Sequence, residues 1–134
     1  MRNIRLTIQY EGTRYRGWQR LGDSEATIQG KLEALLSRVC GEAIALIGAS
    51  RTDAGVHALA QVANFHTASV LPCGDLLAAC RAFLPADIAV VAAQEEAERF
   101  HARFQARRKR YRYRLDTGFA ADVFTRRTAF HVPD

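Results

Sequence analysis

Apolar residues repeat every second position in some stretches of this chain and every third or fourth in others. The order in which these two periods alternate constrains the fold more than any other feature. Ile4, Leu6, Ile8 and Tyr10 share one face at period two, the spacing of a half-buried strand. From Ile28 through Leu32, Leu35, Leu36 and Val39 the period lengthens to that of a helix, with Thr27 placed as N-cap and Gly41 as stop. "AIALIGA" (43–49) reads as a short apolar strand and "AQVANFHT" (60–67) as another. After Pro72, "CGDLLAACRAFL" is helical, and after Pro85 "DIAVVAA" returns to strand. The order β-α-β-β-α-β predicts an α+β, ferredoxin-like (split βαβ) arrangement, an antiparallel sheet with two helices on one face. An additional long basic strand is expected over 105–116. At 134 residues this is one domain, with no internal repeat or interior linker. Such a fold hosts many unrelated activities, so function must be read from particular side chains.

The late basic stretch, "FHARFQARRKRYRYRL", narrows the choice. From Arg99 to Arg114 it holds eight of the chain's 19 Lys and Arg residues and no acid. At period two, Arg108, Arg110, Arg112 and Arg114 share one face, and Lys109, Tyr111, Tyr113 and Leu115 the other. Arginines so placed can track phosphates while tyrosines stack on bases. The competing reading is a solvated arginine face over a Tyr/Leu core face. The first loop repeats the theme, interleaving Arg14, Tyr15, Arg16, Trp18 and Arg20 around Gly12 and Gly17. Taken alone, that loop reads better as a surface loop anchored to the core by Trp18. Two basic-aromatic segments in a domain of net charge +5 point together toward a polyanionic partner.

The third segment is "ASRTDAGVHALAQVANF" (49–65), which sets Arg51, Asp53, Gly55 and His57 in a short loop between two strands. Gly55 suits a turn of positive φ and Asp is a common turn former, so "TDAG" has a purely structural reading. In the functional reading, Arg51 keeps Asp53 ionised and the carboxylate acts as a nucleophile at a sugar or electron-poor ring carbon. The four histidines show no HxxxH or HxE spacing, and there is no P-loop, GxGxxG or deaminase signature. Cys40, Cys73 and Cys80 form no CxxC pair, which fits neither a disulfide framework nor a zinc site and suits a reduced, cytoplasmic setting. The first ten residues lack an apolar h-region, and no apolar run approaches the ~20 residues of a spanning helix, so neither a secretory signal nor a membrane span is expected.

In chain order, "YEGTRYRGWQR", "TIQGKLEALL", "ASRTDAGVHALAQVANF", "LPADIAV" and "FHARFQARRKRYRYRL" resemble the N-terminal half of TruA-type tRNA pseudouridine synthases, and "RTDAGVHA" is the most specific of these strings. The resemblance runs from about Ile4 to Leu115. It implies isomerisation of uridine to pseudouridine in the tRNA anticodon stem-loop (positions 38 to 40): the N-glycosidic bond breaks, the base turns, and carbon 5 rejoins the ribose. It implies no metal or organic cofactor and a homodimer. It places the catalytic aspartate at Asp53, an arginine tied to nucleotide flipping at Arg51, and the tyrosine that stacks on uracil at Tyr111; Arg110 and Arg112, from the arginine face read above, are the expected phosphate contacts beside it. Residues 1–134 are then expected to be the catalytic-aspartate domain, without the family's C-terminal domain and the arginine that it adds to the site. Ala60 stands where the family often has Gly, a mild change in backbone freedom, and Arg81 and Phe83 stand where asparagine-containing strings are common, which puts local RNA contacts in question.

Overall fold

In the computed structural model, which describes residues 1–22, 26–118 and 120–132, strand β1 (Arg2–Tyr10) runs through the middle of a four-stranded sheet. Its neighbours are β3 (Ala58–Thr67) on one side and β4 (Ile88–Glu96) on the other, both antiparallel, and β2 (Ile47–Gly48) pairs with the far side of β3. The order β2-β3-β1-β4, with helix α1 (Ile28–Cys40) joining β1 to β2 and helix α2 (Cys73–Phe83) joining β3 to β4, is the ferredoxin-like arrangement that the periodicities predict.

The predicted caps are formed. Thr27 Oγ1 accepts from the Gly30 N–H at 3.1 Å, and Gly41 ends α1 with φ +71°, its N–H donating to the Ser37 carbonyl at 3.0 Å. Cross-strand register puts Ile4 beside Phe65 and Leu6 beside Ala63, on the face where Leu32 and Leu36 of α1 and Leu76 and Cys80 of α2 complete the core. All eight are essentially sealed from solvent. Truncating a side chain such as Phe65 there costs about 3–5 kcal/mol.

β2 is shorter than the apolar run over 43–49 suggests. Ile44 and Leu46 are buried, but their N–H groups go to α1 side chains, Ser37 Oγ at 2.9 Å and Glu33 Oε2 at 2.8 Å. With those donors committed, pairing with β3 begins only at Ile47.

The second face of the sheet carries a buried amide pair. Asn64 Nδ2 donates to Asn3 Oδ1 at 3.0 Å, and Asn3 Nδ2 donates to the carbonyls of Ala97 and Phe100 at 3.0 and 2.9 Å. Asn64 Oδ1 in turn accepts from the Ala102 N–H at 2.8 Å. Chain leaving β4 is thereby drawn back across this face, with Arg5 over the Phe100 ring.

The long basic strand expected over 105–116 is not formed. Only its last two residues pair, as β5 (Leu115–Asp116), parallel to β6 (Phe130–His131). Alternation of Arg and Tyr supplies strand spacing, but a strand also needs a ladder partner, and residues 106–113 have none among the described residues. Their side chains are exposed, so the predicted division into an arginine face and a Tyr/Leu core face does not arise.

Candidate functional site

The loop from β2 to β3 holds the acidic candidate, and its shape follows from its sequence. The Asp53 carbonyl accepts from the Val56 N–H at 3.1 Å, closing a four-residue turn whose third residue, Gly55, has φ +80°. That is the positive φ a type II turn requires there, and glycine adopts it without a Cβ penalty.

A second loop, residues 11–20, buttresses this turn from behind. The Trp18 N–H donates to the Thr52 carbonyl at 3.0 Å and the Gly55 N–H to the Tyr15 carbonyl at 3.3 Å. Thr52 Oγ1 and the Tyr10 hydroxyl are 2.8 Å apart, and burial pushes the Tyr10 phenol upward. The two backbones meet so closely that a Cβ on Gly12 would stand 2.0 Å from the Val56 carbonyl oxygen, and one on Gly17 2.6 Å from that of Thr52. Asp53 is thus gripped through the residues on both sides of it.

His57 completes the brace. Its Nδ1 accepts from the Gly12 N–H at 2.8 Å, which leaves Nε2 to carry the ring hydrogen and donate to the Arg127 carbonyl. Both ring nitrogens are engaged, and the residue is a structural clasp.

The Asp53 carboxylate itself is exposed, with no hydrogen bond or ion pair among the described residues. The anticipated Arg51–Asp53 ion pair is not formed. Arg51 is also exposed, and it lines a small concavity with Trp18, Gln19, Gln29, Gly48 and Arg103. An unpaired carboxylate on a firmly held backbone is chemically available as a nucleophile.

The basic-aromatic first loop divides differently from its composition. Trp18 and Tyr15 are core residues, 2% and 8% exposed. The Tyr15 hydroxyl donates to Asp87 Oδ1 at 2.7 Å, while Arg14 Nε contacts Asp87 Oδ2 at 2.9 Å. Burial and the neighbouring carboxylate push the Tyr15 phenol up to about 12. Burial also pushes the Asp87 carboxyl upward, but the Tyr15 hydroxyl and Arg14 guanidinium outweigh it and hold the group below its ordinary value. Arg20 is paired with Glu33 at 2.9 Å. These residues hold the loop in place, so its aromatics are not a stacking surface. Asp87 has no prior signal in the sequence beyond its place after "LPA".

Arg110, Tyr111 and Arg112 lie on the exposed segment after the sheet, Tyr111 60% exposed and Tyr113 88%. Arg51 and Asp53 share one loop, and no hydrogen bond or ion pair among the described residues ties the basic segment to it. Among the described residues no helix is long and apolar enough to cross a membrane.

Residues 6–105 match the family model described as tRNA pseudouridine synthase. Over 132 residues the chain is 45% identical to a Bacillus cereus protein named tRNA pseudouridine synthase A 2, covering 98% of this chain and 54% of that protein. A Clostridium tetani protein named tRNA pseudouridine synthase A 1 is 44% identical over 131 residues, with the same two coverages. One from Thermoanaerobacter sp., named tRNA pseudouridine synthase A, is 49% identical over 113 residues, 84% of this chain and 46% of its own length. The chain therefore spans about half the length of the curated relatives it matches. The match takes in β1, both helices, the Asp53 turn and the loop that buttresses it, and the chain belongs to the tRNA pseudouridine synthase family.

Proposed function

We propose that this chain is the catalytic-aspartate half of a tRNA pseudouridine synthase acting on uridines of the anticodon stem-loop, positions 38 to 40, in the cytoplasm. The observation that carries this reading is the Asp53 carboxylate: exposed, free of internal partners among the described residues, and fixed in place by Thr52, Gly55 and His57. A stacked uridine presents neither its C1′ nor its ring carbons to a side chain, so the nucleotide must first leave the stack. Arg51, on the same loop, assists that flipping. The Asp53 carboxylate then forms a covalent bond to the substrate while the C1′–N1 bond breaks. The base turns, C1′ bonds to C5, the bond between Asp53 and the substrate breaks and restores the carboxylate, the C5 proton leaves, and N1 takes up a proton. Tyr111 stacks on the uracil, and Arg110 and Arg112 neutralise backbone phosphates. No metal or organic cofactor takes part.

A flipped uridine must be enclosed on both sides, because electrostatic help is greatest where water is excluded. The Asp53 turn supplies one wall. The other belongs to a second half of the kind the longer relatives have, and the complete enzyme works as a homodimer. The 134-residue chain alone should therefore bind tRNA in the range of non-specific binding, ~10⁻⁴–10⁻⁶ M, and form little pseudouridine. The test is pseudouridine formation by the chain alone and by the chain joined to a relative's second half, each with and without chelator. Activity that appears only with the second half and is unaffected by chelator supports the reading. Full activity of the chain alone contradicts the divided site, and chelator sensitivity contradicts the metal-free reaction.

A further inference from the structure

Arg103 lies on none of the strands or helices, yet its position is built by the fold. The buried Asn3–Asn64 pair draws residues 97–102 across the second face of the sheet, and Asn64 Oδ1 fixes the N–H of Ala102, itself buried, at 2.8 Å. The next residue, Arg103, reaches the concavity that Arg51 lines from the β2 side. Gly48 leaves room between them for the Trp18 indole: a Cβ there would stand 2.5 Å from Trp18 Nε1. Neither guanidinium has an ion pair, and the indole N–H has no acceptor, among the described residues. Gln29, also in the wall, spends its amide on the Arg20 N–H and the Leu46 carbonyl. The concavity thus gathers N–H donors and two positive charges around about 60 Å³. With a water needing ~10–15 Å³, that is room for one tetrahedral group and a water or two.

We infer that Arg51 and Arg103 together form a binding subsite for a single phosphodiester of the RNA, with the Trp18 indole N–H as a third donor. This rests on the reading of the chain as an RNA-modifying enzyme. An acceptor-only anion matches such a wall: guanidiniums bind phosphate in a forked geometry, and a negative charge between them offsets their mutual repulsion. Because Arg51 lies two residues from Asp53, a phosphate held there sets the register of the strand relative to the nucleophile. Arg103 is in this account a positioning residue.

The test uses the chain joined to a relative's second half and a stem-loop RNA carrying one uncharged methylphosphonate linkage at a time. Wild type should lose about tenfold in affinity at one linkage, the size expected for a charge-assisted contact. R103Q and R51Q should each lose a similar factor on unmodified RNA and lose nothing further at that same linkage. The salt slope of R103Q should fall by about one. R103K, which keeps the charge without the fork, should fall between. Thermal melts should match wild type, because the side chain is exposed. If R103Q and the methylphosphonate penalties simply add at every linkage, or R103Q binds as wild type does, the subsite is wrong while RNA binding stands. If wild type binds no RNA under any salt condition, the functional reading falls, and the subsite with it.

Discussion

A β-carbon on Gly12 would stand 2.0 Å from the carbonyl oxygen of Val56, so the loop that follows β1 and the turn that carries Asp53 fit only while residue 12 has no side chain. The obstacle is backbone, which cannot rotate away as a side chain can. Gly12→Ala should therefore cost about 1–3 kcal/mol or more, the range for overpacking, and should loosen the turn as well. Urea unfolding checks the first effect, and amide exchange at Gly55 and Val56 the second. A midpoint equal to wild type would show that the two loops are not rigidly apposed.

The Tyr15–Asp87–Arg14 cluster gives a pH-dependent signature. The Asp87 carboxyl sits below its ordinary value of 3.8 when folded, so its contribution is full above that value and is lost as pH falls through the lowered one. Tyr15 moves the other way: raised to about 12, it contributes below its ordinary value of 10.0 and loses that contribution as pH rises through the shifted one. Tyr15→Phe removes a hydrogen bond to a charged group and should cost about 1.5–3 kcal/mol at neutral pH. The gap between wild type and variant should hold from pH 5 to 9, as an expectation of roughly constant ionisation, and narrow at both extremes. A gap independent of pH would rule out the hydrogen bond as its source.

The amide pair on the second sheet face makes a different demand. Asn64→Ala leaves the Ala102 N–H and Asn3 Oδ1 without partners, which should cost about 1–3 kcal/mol and release the chain at Ala102. Hydrogen exchange at Ala102 should rise to the rate of a loop amide. Protection retained at Ala102 would mean that something other than Asn64 holds the crossing.

The elements that build their own evidence were legible in the sequence. Thr27 and Gly41 bracket α1 because a cap and a left-handed stop are local chemistry, carried by the residues themselves. What was not legible depended on partners elsewhere. The alternation over 105–116 has strand spacing but no neighbouring strand to complete it, and only Leu115–Asp116 pairs. The anchoring of the first loop by Trp18 was legible, but the partner of Tyr15 was not: Asp87, 72 residues beyond it, holds the hydroxyl. The turn character of "TDAG" and the availability of Asp53 proved compatible, since the turn is what presents the carboxylate. The Arg51–Asp53 pair did not form, because neighbours in a loop need not face each other.

Tyr111 is exposed and free of packing, so its substitution separates binding from folding. Tyr111→Ala should leave stability within about 0.5 kcal/mol of wild type and forfeit about 1–3 kcal/mol of RNA affinity, whereas Tyr111→Phe should keep most of it. Arg110→Gln and Arg112→Gln should each lower the salt slope by about one. Equal binding by the alanine and phenylalanine variants would remove Tyr111 from the stacking role.

Asp53→Asn tests the nucleophile most directly. Its carboxylate makes no hydrogen bond or ion pair among the described residues, so the amide should leave folding within about 0.5 kcal/mol of wild type and RNA affinity close to it. The measurement is single-turnover tritium release from uridine-5-labelled tRNA, by the chain joined to a relative's second half, with Asp or Asn at position 53. An amide is not a competent nucleophile, so release should fall by several orders of magnitude with binding retained. Release by the asparagine variant at a rate near wild type would contradict the account.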